Sequence, residues 1–312
     1  MQPQERYRGA LLGLAVGDAL GAAVEFSSPG SFPPLEDLVG GGPHDLNPGE
    51  WTDDTAMALC LAESLVEVGG FDPKDQLRRY LRWYREGHWS PKGYCFDIGG
   101  TTREALECFA ATGEPYPGPT HEFSAGNGSL MRLAPVALAY AARPEEALKY
   151  AALSSRTTHG ARAAVDACRY FAGLLVGAVR GEEKARLLEP GYAPVPEAWV
   201  REPLHPEVAE VAQGSFQKKE PPQIRASGYV VRTLEAALWA FAEARDFREG
   251  ALLAANLGED ADTVAAVYGQ IAGAYYGEEG IPQAWRQKLY AREAIERLAD
   301  RLYALSWERL DP

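Results

Sequence analysis

Two short clusters pair carboxylates with hydroxyls, Thr52-Asp53-Asp54-Thr55 and Asp260-Ala261-Asp262-Thr263, and each opens an apolar stretch with helical spacing. Hard oxygen donors gathered this way suit Mg²⁺, Mn²⁺ or Ca²⁺. Four Asp carboxylates brought close together repel one another unless cations sit between them, so a pair of divalent ions would resolve the conflict. Read alone, Thr52 and Asp53 are also ordinary N-cap residues, with Asp54 complementing the helix dipole. Two clusters of one grammar make that plain reading weaker. Asp260 and Asp262, two apart, do not share a helix face and must sit in an extended or first-turn segment, as converging ligands do.

Other segments carry possible chemistry. In the run from Gly17 to Phe26, Asp18 and Glu25 are seven residues apart and share a face if the first helix continues that far. Glu25, with Val24 and Phe26 as apolar neighbours, is a general acid or base whose pKa desolvation would raise, while Asp18 reads as a bonder of backbone amides. The turn Ser124-Ala125-Gly126-Asn127-Gly128 before an expected helix over 129–140 offers free N–H groups to a diphosphate, or is a plain Asn-Gly turn. Asp97, in a polar turn opening a helix, is a third carboxylate for catalysis or orientation, or an Asx-turn. His159 can contact substrate hydroxyls or cap a helix, and Tyr229 can stack on a base or simply pack. Five His, none spaced as a zinc motif, argue against zinc, and Cys60, Cys95, Cys108 and Cys168 show no CxxC spacing and receive no role.

The elements that must position these residues are helices. Apolar periodicity predicts them over 7–20, 56–68, 74–84, 101–111, 129–140, 144–154, 161–179, 228–243, 247–256, 263–276 and 284–305, with almost no period-2 strand. The expectation is an all-α multi-helix globule, one domain over 1–312. An irregular excursion over 190–222, with seven prolines, could fold over the site. Glycine recurs every fourth residue at Gly9, Gly13, Gly17 and Gly21 and again at Gly269, Gly273 and Gly277. Each weakens a helix by up to about 1 kcal/mol relative to Ala, so close backbone approach is the expected reason.

The chain of 312 residues is 46% hydrophobic and 24% charged, enough to bury a large core. Its formal charge of −13, from 44 acidic and 31 basic residues, leaves no basic stripe for a phosphate backbone. No apolar run of membrane-spanning length and no leader is read, so a cytoplasmic monomer is expected.

Taken in order, Gly17-Asp18-Ala19-Leu20-Gly21 with Glu25, Trp51-Thr52-Asp53-Asp54-Thr55, Gly126 to Arg132, Thr158-His159, Ser227 to Val231 and Gly258 to Thr263 resemble the ADP-ribosylglycohydrolase family, in particular the bacterial enzymes similar to dinitrogenase reductase-activating glycohydrolase. The resemblance implies an all-α orthogonal bundle, two Mg²⁺ or Mn²⁺ ions, and hydrolysis of the N- or O-glycosidic bond of ADP-ribose. It implies Thr52, Asp53, Asp54, Asp260, Asp262 and Thr263 as metal ligands and Glu25 and Asp97 as catalytic carboxylates. Gly126, Asn127, Gly128, Ser129 and Met131 would line the diphosphate and ribose channel, flanked by His159 and Tyr229. Gly100 and Arg232 stand where the bacterial pattern commonly has Asn and Asp, departures that bear on target preference.

The expected activity is therefore release of ADP-ribose from an acceptor, such as an arginine side chain of a protein, a small-molecule conjugate or a nucleic-acid end. Two alternatives stand beside it: a non-catalytic ADP-ribose-binding or structural relative, and a two-metal nucleotide phosphohydrolase.

Overall fold

A computed structural model describes residues 1–307. Within them lie fifteen α-helices and no β-sheet. In chain order these are α1 (Pro3–Gly21), α2 (Asp53–Val68), α3 (Pro73–Glu86), α4 (Gly100–Thr112), α5 (Ala134–Ala139), α6 (Pro144–Arg156), α7 (Arg162–Val179), α8 (Lys184–Leu187), α9 (Ala198–Arg201), α10 (Pro206–Ala212), α11 (Val230–Glu243), α12 (Phe247–Ala255), α13 (Ala261–Tyr276), α14 (Gln283–Lys288) and α15 (Arg292–Trp307).

The two glycine stripes face each other across one seam. A methyl group placed on Gly9, Gly13, Gly17 or Gly21 of α1 would strike the carbonyl of Gly273, Gly269, Ala265 or Ala261 of α13, respectively. One partner number climbs as the other falls, so the helices run antiparallel with their backbones touching. Only residues with little or no side chain permit this approach. The seam therefore lays the end of α1, with Asp18 and the chain leading to Glu25, against the start of α13, with Asp260 and Asp262.

Around this pair the core is continuous, with Leu12, Val16, Met57, Leu61, Phe171, Leu238, Val267 and Ile271 wholly buried. α1, extended to Val24, reaches a mean hydropathy of 1.2, long and apolar enough by that test to cross a membrane, which the expectation from sequence overlooked. In the fold that apolarity is buried against neighbouring helices.

Three boundaries differ from the sequence expectation. α1 ends at Gly21 and passes through a 3₁₀ turn, so Asp18 and Glu25 do not share a helix face. The helix expected from Ser129 begins only at Ala134, because Arg132 donates to the Gly128 carbonyl and Gln270 of α13 donates to the Met131 carbonyl, holding 127–133 in turns. The last expected helix is broken into α14 and α15 at Ala291, whose φ is 47°. The excursion over 190–222 folds into α9, α10 and a 3₁₀ turn against α7 and α11.

Candidate metal centre

Asp18 is wholly buried and fully engaged. It accepts from the backbone N–H of Thr52 at 3.1 Å and of Thr55 at 3.0 Å, and from their hydroxyls at 2.8 and 2.7 Å. That ties the first turn of α2 to the seam. Thr52 and Asp260 both occupy N-cap positions, of α2 and α13, yet neither side chain caps its helix. The capping explanation of the two clusters fails at those positions.

The freed groups converge. Oxygens of Asp18, Asp54 and Asp262 lie within 4.8 Å of one another, as do those of Asp53, Asp97 and Asp262. The Thr52 hydroxyl stands 3.2 Å from Oδ2 of both Asp54 and Asp262, but its single proton already has Asp18 at 2.8 Å. Thr263 Oγ1 lies 3.4 Å from Asp54 Oδ2. Oδ1 of Asp54 and Oδ1 of Asp262 are buried with no hydrogen-bond partner at all. Unpaired buried acceptors of this kind normally cost a few kcal/mol each. Such a set of unpaired hard oxygens fits divalent cations.

Burial, and then the neighbouring carboxylates, push Asp53, Asp54 and Asp262 well above the usual carboxylate range in the cation-free fold. Asp260 is raised by burial despite the hydrogen bond from Asn127 Nδ2 at 2.7 Å. Asp18, also buried, moves only to about 6 because four donors stabilise its charge. Glu25 rises to about 10, through burial first and then the charges of Asp97, Asp54, Asp260 and Asp18.

Glu25 reaches the cluster by a backbone device instead of a helix face. Phe26 N–H donates to the Glu259 carbonyl and Glu259 N–H to the Ser27 carbonyl, both at 2.7 Å, so the segment after α1 is stitched to the one before α13. Phe26, Asp97 and Glu259 hold φ values of 64°, 62° and 51°, an uncommon conformation for non-glycine residues that clusters at functional sites.

A cavity of about 820 Å³ opens over these groups, lined by Glu25, Asp53, Asp97, Asp260, Asp262 and Thr263 on one side. Gly126, Asn127, Gly128, Met131 and His159 line it on the other. Ser129 is not among them. Its hydroxyl is buried against Ser155 Oγ at 2.7 Å, so any contact it makes with a ligand must be through the backbone. Tyr229 lies beyond the cavity, lining an adjoining cleft with Phe123, His205 and Glu207 and donating to Glu207 at 2.9 Å. The Pro-rich excursion contributes His205 and Glu207 to that cleft and nothing to the acidic cavity, so it walls the neighbourhood and does not roof the site. Another cleft, of about 880 Å³, lies beside Trp239 and Leu252, where Asp246 caps α12 and Glu249 pairs with Arg245; it carries no converging unpaired carboxylates.

Comparison with known proteins places the chain in a family. The family model described as ADP-ribosylglycohydrolase matches residues 1–311. The chain belongs to the ADP-ribosylglycohydrolase family. It is 44% identical over 302 residues to the ADP-ribosylarginine hydrolase Tri1 of Pseudomonas putida, covering 97% of this chain and 79% of that protein. It is 32% identical to the ADP-ribosyl-[dinitrogen reductase] glycohydrolase of Rhodospirillum rubrum, covering 97% of both. A solved structure titled "ADP-ribosylglycohydrolase-related protein complex" superposes with a TM-score of 0.86 at 53% identity, over 97% of this chain and 99% of that one.

In this family member, sequence reasoning missed His44. Its Nε2 lies 2.9 Å from Glu25 Oε2 and 3.5 Å from Asp97 Oδ1, between two carboxylates that line the cavity. The only signal was a histidine in the Gly40-Gly41-Gly42-Pro43 loop, too little to separate it from a surface turn. The pinning role of Asp18, by contrast, matches its reading as an amide bonder.

Proposed function

We propose that this chain is a hydrolase that cleaves the glycosidic bond between ADP-ribose and a protein side chain, with arginine as the acceptor, releasing intact ADP-ribose. The observation that carries the reading is the pair of orphaned carboxylate oxygens, on Asp262, which lines the cavity, and on Asp54 buried beside it, in a chain whose P. putida relative is an ADP-ribosylarginine hydrolase.

Two Mg²⁺ or Mn²⁺ ions held by Asp53, Asp54, Asp260 and Asp262 with the Thr52 and Thr263 hydroxyls would supply charge compensation and Lewis acidity at the distal ribose. Glu25 then moves the proton: it orients or deprotonates a water, or the 2″-hydroxyl, beside the anomeric carbon. In the cation-free fold, burial and then the neighbouring carboxylates hold Glu25 protonated at neutral pH; bound cations would offset those charges and bring its pKa down toward the range a general base needs. Asp97 shares His44 with Glu25 and helps to orient the reacting group. Gly126 and Gly128 leave room for a diphosphate to approach the backbone, and Asn127 holds Asp260 in place. The adjoining cleft, which shares Gly126 and Gly228 with the acidic cavity, offers Tyr229 and the largely exposed Phe123 as stacking surfaces for the base.

The test is mass spectrometry of an ADP-ribosylarginine peptide incubated with the protein and Mg²⁺ or Mn²⁺. Intact ADP-ribose and free arginine are expected. Release of AMP or phosphate would replace this reading with a two-metal phosphohydrolase, and an unchanged peptide bound by the protein would make it a sensor.

A further inference from the structure

Arg132 is the most deeply buried cation among the described residues and has no carboxylate partner among them. Its guanidinium donates from Nη1 to the Gly128 carbonyl at 2.9 Å and to Thr158 Oγ1 at 2.8 Å. From Nη2 it donates to the Ser154 carbonyl and Thr157 Oγ1, both at 3.1 Å, and it sits over the Tyr80 ring at 4.8 Å. Thr158 Oγ1 in turn lies 2.8 Å from His159 Nδ1.

Proton counting fixes the direction of this chain. A guanidinium is a donor only, so Thr158 Oγ1 accepts from Arg132 and its own proton must go elsewhere. Within reach, the one acceptor is His159 Nδ1. If Nδ1 carried the proton instead, the Thr158 hydroxyl would accept twice and leave its hydrogen buried and unpaired, which is unfavourable. The imidazole proton therefore belongs on Nε2. That atom has no hydrogen-bond partner among the described residues and belongs to a ring lining the acidic cavity, beside Gly126 and Gly128, where an added methyl would stand 3.5 and 3.0 Å from it.

We propose that Arg132 and Thr158 form a buried relay that locks His159 in the neutral Nε2–H tautomer, making it a fixed hydrogen-bond donor to an anionic oxygen of the ligand. Arg132 and Thr158 are positioning residues, since neither lines the cavity. The same guanidinium holds the Gly128 carbonyl, so one cation orients both the glycine turn and the histidine. Burial and the nearby Arg132 charge also lower the His159 pKa, to about 3, in keeping with a ring that stays neutral. The ligand assignment rests on the ADP-ribose reading above; the tautomer does not.

The decisive experiment is a ring ¹⁵N NMR spectrum of the histidine-labelled, substrate-free protein at neutral pH, with His159→Gln used only to assign the signal among five histidines. The expected result is a protonated Nε2 and an unprotonated Nδ1. A protonated Nδ1, or a mixture of tautomers, would overturn the relay whatever the enzyme's activity. Thr158→Val should mix the tautomers and raise KM about tenfold, more than it lowers kcat, and Thr158→Ser should restore both. An unaltered spectrum in Thr158→Val would equally reject the relay. A protonated Nε2 in a protein without glycohydrolase turnover would reject the functional reading and leave the relay standing.

Discussion

The seam between α1 and α13 and the acid cluster at its end are made by the same two helices and obey opposite rules. Along the seam, glycine and alanine bring neutral backbones into contact and nothing carries charge. At its end, carboxylates crowd together and two of their buried oxygens have no partner. The rigid, dry half supports the strained half: tight backbone packing fixes the positions from which Asp18, Asp260 and Asp262 cannot relax apart. Local consistency is broken where these carboxylates meet, and such places are where function is expected.

Breaking the seam should have the largest effect. Gly17→Val would drive a branched side chain into the Ala265 carbonyl, and urea denaturation should show a loss of at least about 3 kcal/mol, or no folded protein. Next, Glu25→Gln should lower kcat by roughly 10²- to 10⁴-fold with KM little changed, measured on an ADP-ribosylarginine peptide. Equal activity in that variant would remove Glu25 from the mechanism.

The charged end should respond in the opposite sense from the seam. Asp54→Asn removes one of the mutually repelling carboxylates, so in EDTA its melting temperature should rise by a few degrees, on the order of 1 kcal/mol, while Mn²⁺ binding by calorimetry weakens. A fall in stability without cations would mean the cluster is not frustrated. The same logic sets a pH dependence. Glu25 and Asp53, Asp54, Asp260 and Asp262 have folded-state pKa values above their ordinary ones, so the cation-free fold holds more protons than the unfolded chain. That contribution is fully present below the ordinary carboxylate pKa of about 4 and is lost as pH rises toward the value of about 10 for Glu25. Thermal melts in EDTA should therefore decline from about pH 5 to about pH 8, and saturating Mg²⁺ should flatten the decline.

The smallest effect belongs to a glycine outside the seam. Gly100 has open space where a side chain would sit and an unexceptional φ, so Gly100→Ala should change stability by no more than about 1 kcal/mol, stabilising if anything. A large loss there would undo the contrast with Gly17.

Much of this was legible in the sequence because it was periodic. Apolar spacing located the long helices, and the fourfold glycine spacing announced a close crossing. The two acid-hydroxyl clusters could be paired because each begins a helix. What escaped depended on contacts between distant segments. Glu25 was placed on a helix face, whereas the pairing of Phe26 and Ser27 with Glu259 sets it by a route no local pattern encodes. The helix expected at Ser129 is withheld by Arg132 and Gln270, two buried side chains whose partners lie on other elements or on the turn itself. The family resemblance implied Ser129 as a ligand contact, but the turn rotates its hydroxyl into the core. His44 carries no pattern of its own and acquires meaning only from its distance to Glu25 and Asp97.

The central claim is that the end of the seam is a cage for divalent cations. Anomalous diffraction at the manganese edge from a crystal soaked in Mn²⁺ tests it most directly. The account predicts manganese density bounded by Asp53, Asp54 and Asp262, close to the orphaned Oδ1 atoms; aspartates with no anomalous signal among them, in crystals that take up manganese elsewhere, would contradict it.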